Sequence, residues 1–454
     1  MDSISTGVVV VGAGIAGLSA ADRLTANGVE CLVVEARDRV GGRLLSEPLA
    51  GHPGAWIDQG GQWLGPTQDH AYALAARLGL TTMPTHVIGD KLLVFNRKAS
   101  RYQGRLPTLP PVALADVGQA QWRFDRLAAT VDLAHPWRTP RAHDLDAQTF
   151  ETWIRHTART KSGREFFRVA AEAVFATEAA NISLLHALFY ARSGGRLEAL
   201  LSSDGGAQQD RVIGGMQQLP QGLSDLLGDR VLLDFPVESI RQRDHGVVVR
   251  SGAREIDAGF AIVATPPATT SAISFDPPLP ADRAQLLQRM PHGSVIKFHA
   301  VYDSPFWRED GLSGEAAGDQ GPIKVIFDNS PPSGTPGILV GFFEGTEAVQ
   351  ASRYEQFVRQ EVVASELARY FGPRAHDMTD YTDTDWSAEP WTRGCYGAHL
   401  PPGAWTQFGS ALREPVDRVH WAGTETAERW VGYIDGGIES GIRAADEVLA
   451  LIPR

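Results

Sequence analysis

The chain has 454 residues and a formal net charge of −12 at neutral pH. That length holds two or three ordinary domains or two interleaved ones, and the acidic balance argues against nucleic acid or an anionic membrane surface as the main partner. The two cysteines, Cys31 and Cys395, are too few for a disulfide framework and fit a reducing compartment. Met1 to Thr6 shows no basic, apolar leader before the first strand. The longest apolar run, around Val8 to Ala21, is broken by glycine and too short to span a bilayer. A soluble, cytoplasmic protein is therefore expected.

Val8 to Val11 is an unbroken β-branched run and reads as a buried parallel strand. Gly12, Gly14 and Gly17 follow as GxGxxG: a tight turn, a close approach for a pyrophosphate, and close packing of helix on strand. A helix from Ile15 to about Asn27 would turn its N-terminal amides toward that pyrophosphate. A second strand, Val29 to Val34, leads into Glu35, whose carboxylate can accept hydrogen bonds from both ribose hydroxyls. Strand, glycine turn, helix and acid together predict a dinucleotide site rather than a merely structural turn. Ala36 to Arg43 adds Gly41, Gly42 and an arginine that could reach the phosphates from the other side.

Ala55 to Thr67 reads as a strand with a turn at Gly60-Gly61, and Gln68 to Leu78 as a helix. After Leu80, segments interrupted by Pro107, Pro110 and Pro111 alternate with amphipathic helices near 112–133, 144–160, 163–176 and 181–192. Strands return at Val231 to Phe235, Val237 to Arg243, Val247 to Ser251 and Ala261 to Ala264, and would complete the sheet begun at Val8. Ser294 to Tyr302 and Ile338 to Phe343 are alternating strands, and 351–371 a strong amphipathic helix. Val419 to Gly423 is a short strand. A helix from Tyr433 to about Leu451 follows, its Gly436, Gly437 and Gly441 allowing close contact with a flat partner.

The stretches GGQWLGPTQD (60–69), MPHGSVIKFHAVYDSPFW (290–307), GCYGAHLPPGAWTQFG (394–409) and WAGTETAERWVGYIDGGIESG (421–441), after the N-terminal fingerprint, resemble the FAD-containing amine oxidases, specifically the flavin-dependent monoamine oxidases, over nearly the whole chain. That resemblance implies an α/β, α+β two-domain architecture: a Rossmann-like FAD-binding domain from 1–80, 210–290 and 394–454, interleaved with a substrate domain of mixed sheet and helices from 81–209 and 291–393. It implies FAD contacts from Gly12, Ala13, Gly14, Ala16, Gly17, Glu35, Ala36, Arg37, Gly42, Arg43, Gly60, Gly61, Gln62, Trp63, Val237, Trp386, Cys395, Gly423, Thr424, Tyr433 and Ile434. Trp391 resembles a further aromatic residue of the cavity.

Cys395 matches the position where some members attach the flavin through a thioether; the alternative is a buried free cysteine, and Cys31 is read as core. Tyr396 and Tyr433 match a pair of aromatic rings that cage the amine, π-faces that need no acid to lock it as ammonium. Lys297 reads from alternation alone as a lysine on a solvated face. Its motif instead resembles the lysine bonded through water to the flavin N5, where it aids proton movement and reaction with oxygen. Lys297, Tyr396 and Tyr433 are thus the expected catalytic residues.

The expected reaction converts a primary or secondary amine to an imine, then to an aldehyde or ketone, with oxygen reduced to hydrogen peroxide. Leu200, Leu201, Gln208, Val325, Phe342, Tyr396 and Tyr433 fall in positions resembling the pocket wall, suited to an aryl- or alkylamine. An amino-acid oxidase would need a cation for the carboxylate, and Arg192, Arg196 and Arg211 are read near the wall. A polyamine oxidase would need an acid at the far end, where Lys324 stands instead; a nicotine-type heterocyclic amine and a flavoprotein without turnover are further alternatives. The thirteen histidines show no metal spacing, and no GxSxG elbow or Walker loop is present. A membrane partner is not expected, and a homodimer is expected by analogy alone.

Overall fold

The computed structural model describes residues 3–104 and 109–452 and is built on two large sheets. Pro107 lies outside the described residues. In the first sheet Ser3–Val11 runs parallel to Cys31–Val34 on one side and to Arg254–Val263 on the other, with Val8 opposite Cys31 and Phe260. Successive side chains point to opposite faces, so Val8 and Val10 enter one core while Val9 and Val11 enter another. Both faces are covered, which is why the run is apolar without a break.

Val231–Leu232 continues this sheet beyond Cys31–Val34. Gly246–Ser251, Ser239–Arg243 and Ser274–Asp276 continue it on the other side, and Val419–Trp421 pairs with the C-terminal end of Arg254–Val263. Helices Ile15–Ala26 and Ile434–Leu449 share the core on one face. Their close approach requires Gly441, where a Cβ would lie 2.1 Å from the Ala16 carbonyl oxygen.

The second sheet runs in the order Asp380–Asp385, Val295–Tyr302, Gly337–Glu344, Ile323–Asp328, Leu312–Gly318, Asp90–Phe95 and Lys98–Tyr102. A helical layer of Pro111–Ala128, Phe150–Thr157, Lys161–Phe175 and Leu184–Ser193 shares its core with Leu400, Trp405 and Trp430. Thr149 and Thr160 start two of these helices by accepting from the amides of Thr152 and Gly163.

Several expected elements differ. The segment after Leu80, read as helical, contains the hairpin Asp90–Phe95 and Lys98–Tyr102. Its turn residues Asn96 and Arg97 both have positive φ, 51° and 63°; arginine in place of the usual glycine hides the turn. The helix expected over 351–371 is two, Gly345–Ala351 and Gln356–Phe371, and that over 144–160 is Ala142–Asp146 and Phe150–Thr157. Leu312–Gly318, Ile323–Asp328 and Asp380–Asp385 are strands that alternation did not reveal. Among the described residues no helix is long and apolar enough to cross a membrane.

Candidate active site

A single cavity runs from the end of Ser3–Val11 to the helical layer. At its first end the chain leaves the strand through Gly12 and enters Ile15–Ala26 with Gly14 at the N-cap and no side chain capping it, so first-turn amides are left for a ligand. A Cβ on Gly14 would meet nothing within 4 Å, whereas one on Gly17 would lie 1.9 Å from the Gly12 carbonyl oxygen. Gly14 therefore faces the cavity, while Gly17 packs helix on strand and does not line it. Ala13 does not line it either: its amide donates to Glu35 Oε2 at 2.8 Å, and the Arg37 amide donates to Glu35 Oε1 at 3.1 Å. Glu35, 4% exposed, is thus aimed by the backbone.

The two arginines at this end are held by protein partners. Arg37 donates to Thr392 Oγ1 at 2.7 Å and pairs with Glu389. Arg43, expected to reach phosphates, pairs with Glu425 at 2.6 Å and donates to the Tyr396 carbonyl oxygen at 2.9 Å. Its guanidinium lines the cavity but belongs to an ion pair that fixes the backbone beneath Tyr396.

Lys297 lines the cavity from a strand buried along its whole length between Gly337–Glu344 and Asp380–Asp385. The solvated-face reading fails because Gly60, Gln62 and Trp63 lie over the face that carries Lys297, while Ile296, Phe298 and Ala300 on the opposite face pack against Val363 and Leu367; Lys297 is 3% exposed. Its Nζ donates to the Gly60 carbonyl oxygen at 2.8 Å and to Gln62 Oε1, and lies 5.6 Å from the Trp63 ring centroid and 5.9 Å from that of Phe342. Gln62 in turn donates to Asn329 Oδ1 at 2.8 Å. Burial pulls the ammonium down to about 7, with the charge of Asp58 opposing the shift, so near neutral pH this group can both hold and release a proton.

At the far end Cys395, Tyr396 and Tyr433 line the cavity together. The peptide bond between Cys395 and Tyr396 is cis. Burial pushes the Cys395 thiol up to about 12, which keeps it protonated at neutral pH. Tyr396 packs edge-on against Phe342 at 6.0 Å, and Tyr433 packs against Trp430 at 5.0 Å and Tyr190 at 6.1 Å. Burial raises the phenols of both Tyr396 and Tyr433. Gly423, Thr424 and Ile434 close one side, and Thr424 Oγ1 donates to the Tyr433 carbonyl oxygen at 2.9 Å. Ala16, Ala36, Gly42, Gly61, Val237, Trp386 and Trp391 also line the cavity.

Of the expected wall, Leu201, Gln208, Val325 and Phe342 line the cavity. Leu200 does not: it is 1% exposed and packs in the helical core beside Gly194. Arg192 and Arg196 are exposed, and Arg211 is buried elsewhere, donating to the Ser330 carbonyl oxygen at 3.3 Å and stacked over Trp56. Lys324 pairs with Glu172. Phe327, read beside Val325 in the wall segment, also lines the cavity; sequence reasoning missed Tyr190, Glu425 and above all Glu344, a buried acid that accepts from the Tyr396 hydroxyl at 3.0 Å. Its signal was the alternation Val340, Phe342, Glu344 along one strand face. A buried acid therefore stands beside the Tyr396 hydroxyl.

The sequence matches a family described as flavin containing amine oxidoreductase over residues 15–449. A protein named as a flavin-containing monoamine oxidase, AofH of Mycobacterium tuberculosis, is 45% identical over 98% of this chain and 97% of its own length. An L-amino acid dehydrogenase of Synechocystis is 38% identical, covering 99% of this chain and 96% of its own. The solved structure of wild-type putrescine oxidase bound to putrescine superposes with a TM-score of 0.95 at 33% identity, over 99% of this chain and 100% of that one.

Proposed function

This chain belongs to the flavin containing amine oxidoreductase family, and from that premise we propose that it oxidises primary or secondary monoamines with an apolar body, using oxygen as acceptor and releasing hydrogen peroxide. The observation that carries the substrate reading is the cavity's far end, walled by Tyr190, Leu201, Val325, Phe327, Phe342, Tyr396 and Tyr433. Among the described residues four charged side chains line the cavity, and each is engaged: Glu35 with Arg37, Arg37 with Glu389, Arg43 with Glu425, and Lys297 with Gly60 and Gln62. None is left for an amino-acid carboxylate or for the second ammonium of a diamine, and burying either unpaired is costly.

The residues fit FAD. The open side of Gly14, the uncapped first turn and the backbone-held Glu35 suit a pyrophosphate and a ribose. Bound FAD supplies the two-electron acceptor that the amine needs. Tyr396 and Tyr433 hold the amine by their π-faces and stay protonated. Lys297 holds or gives a proton beside Gly60 and Gln62, and the aromatic wall excludes water. Both cysteines are free and buried, which supports a reducing, cytoplasmic setting.

A panel of arylalkylamines, alkylamines, diamines and L-amino acids mixed with the holoenzyme in air tests this reading. Loss of the yellow flavin colour together with peroxide is expected with the apolar monoamines. Colour loss without peroxide would mark a dehydrogenase, and faster turnover of L-amino acids or diamines would overturn the substrate class. Cys395 lines the flavin cavity and carries the matching motif, so a thioether is expected. After acid denaturation the flavin should stay with the protein, and in Cys395→Ala it should appear in the supernatant. Free flavin from the unsubstituted protein would refute the bond.

A further inference from the structure

Two of the residues with left-handed backbone are bonded to each other. Thr67 has a φ of 70° and Trp430 one of 49°, a conformation that crowds the Cβ of any bulky residue. The Trp430 indole Nε1 donates to the Thr67 carbonyl oxygen at 3.1 Å and to Thr67 Oγ1 at 3.2 Å. Thr67 stands third in the turn Gly65-Pro66-Thr67-Gln68, closed by the Gln68 amide on the Gly65 carbonyl oxygen at 3.1 Å, where a positive φ ordinarily selects glycine. The residue is exposed, so packing does not account for a threonine there. Its bond to Trp430 does, and backbone held in this region persists only where the surroundings fix it.

Trp430 is 3% exposed and does not itself line the cavity. It ties together segments that do. Its amide donates to the Ser193 carbonyl oxygen at 3.1 Å, at the end of the helix that carries Tyr190, and its ring lies against Gly194, where a Cβ would come within 3.2 Å of it. Its carbonyl oxygen accepts from the Tyr433 amide at 3.0 Å. That bond closes the turn Trp430-Val431-Gly432-Tyr433, with Gly432 in third place at a φ of 83°. The Tyr433 ring stands edge-on to the indole, centroids 5.0 Å apart and planes at 75°. Trp430 therefore meets both the backbone and the ring of Tyr433.

We propose that Trp430, anchored by Thr67, is the positioning residue of Tyr433 and fixes the ring against which the amine is oriented. The inference rests on the proposed hold of the amine by Tyr396 and Tyr433. Trp430 touches neither amine nor flavin and acts through Tyr433 alone. A loosened Tyr433 still offers its π-face, so the amine still binds. The reacting carbon is then held less well, and a misplacement of about 1 Å costs about a hundredfold in rate. The signature is a lower rate of flavin reduction at saturating amine, with the half-saturating amine concentration little changed.

The test mixes holoenzyme without oxygen with the monoamine of the panel that the unsubstituted enzyme turns over fastest, and follows flavin reduction. Trp430→Phe keeps a ring beside Tyr433 but loses the donor to Thr67; it should lower the limiting rate roughly ten- to a hundredfold. Thr67→Gly suits the turn and should unfold at no lower temperature than the parent, yet reduction should slow, a split that a merely structural role would not give. Thr67→Ser keeps the hydroxyl and should restore the parent rate. The Thr67 variants carry the test if Trp430→Phe does not fold. Adding Trp430→Phe to Tyr433→Ala should slow reduction no further than Tyr433→Ala does. Parent rates in both Trp430→Phe and Thr67→Gly, or full additivity in the double variant, with Tyr433→Ala still slow, would overturn the positioning role alone. Tyr433→Ala at the parent rate would overturn the hold on the amine and this inference with it.

Discussion

Lys297→Met is expected to slow reaction of the reduced enzyme with oxygen by about a hundred- to ten-thousand-fold, the range for loss of a positioned proton donor, while flavin content stays near that of the parent. Methionine fills similar space but cannot donate to the Gly60 carbonyl or to Gln62, and it removes the cation between Trp63 and Phe342. Anaerobic reduction by amine followed by mixing with oxygen separates the two half-reactions; an unchanged oxidative half-reaction would end the role assigned to this lysine. A second readout has a definite sign. Burial lowers the folded ammonium to about 7, whereas the unfolded chain keeps its proton to about 10.4. Between these values the unfolded state binds more protons, so stability from this group rises with pH across that window. The methionine variant should lack that slope in urea unfolding at pH 7 to 10.

Glu425→Ala should destabilise the protein by about 3–5 kcal/mol, the cost of leaving a buried charge unpaired. Arg43 would lose its partner at 2.6 Å, and the Ala398 amide would lose the carboxylate oxygen it donates to at 3.2 Å. Both contacts hold the turn that carries Cys395 and Tyr396, so amine turnover and flavin attachment should fall together. Burial works against the Glu425 carboxylate, but Arg43 and His292 hold it far below the usual carboxylate range. Its folded pKa is depressed, so its contribution is complete above the unfolded value and is lost as pH falls toward the folded one. Acid unfolding of the variant should therefore lack that part of the transition. The double change Glu425→Leu with Arg43→Met should recover stability without recovering turnover, because an apolar pair can replace a buried ion pair energetically. Stability unchanged in Glu425→Ala would show that the pair does not hold the turn.

The glycine-rich end of the cavity was legible because it is contiguous: strand, glycine turn, helix and Glu35 follow one another along the chain. That Tyr396 and Tyr433 line one cavity was legible from the motifs that carry them, not from periodicity, which makes either tyrosine an ordinary core residue. Leu200 and Leu201 differ by one helical step, about 100° of rotation, and no pattern in the chain separates the residue on the cavity from the one in the core. Asp90 to Tyr102 was misread because Asn96 and Arg97 form a hairpin turn without the glycine that usually announces it.

By itself the sequence determined what depends on neighbours a few residues away: the apolar run Val8 to Val11, the turn at Gly12 and the close packing at Gly17. Tertiary structure alone decided charge. Arg43 finds Glu425 across 382 positions, Lys297 finds Gly60 across 237, and Tyr396 finds Glu344 across 52. The reason is electrostatic. Whether a side chain is ionised, and so what proton chemistry it can perform, depends on how much water is removed and which partner arrives from a distant segment, and neither quantity exists until the sheets have closed over the cavity.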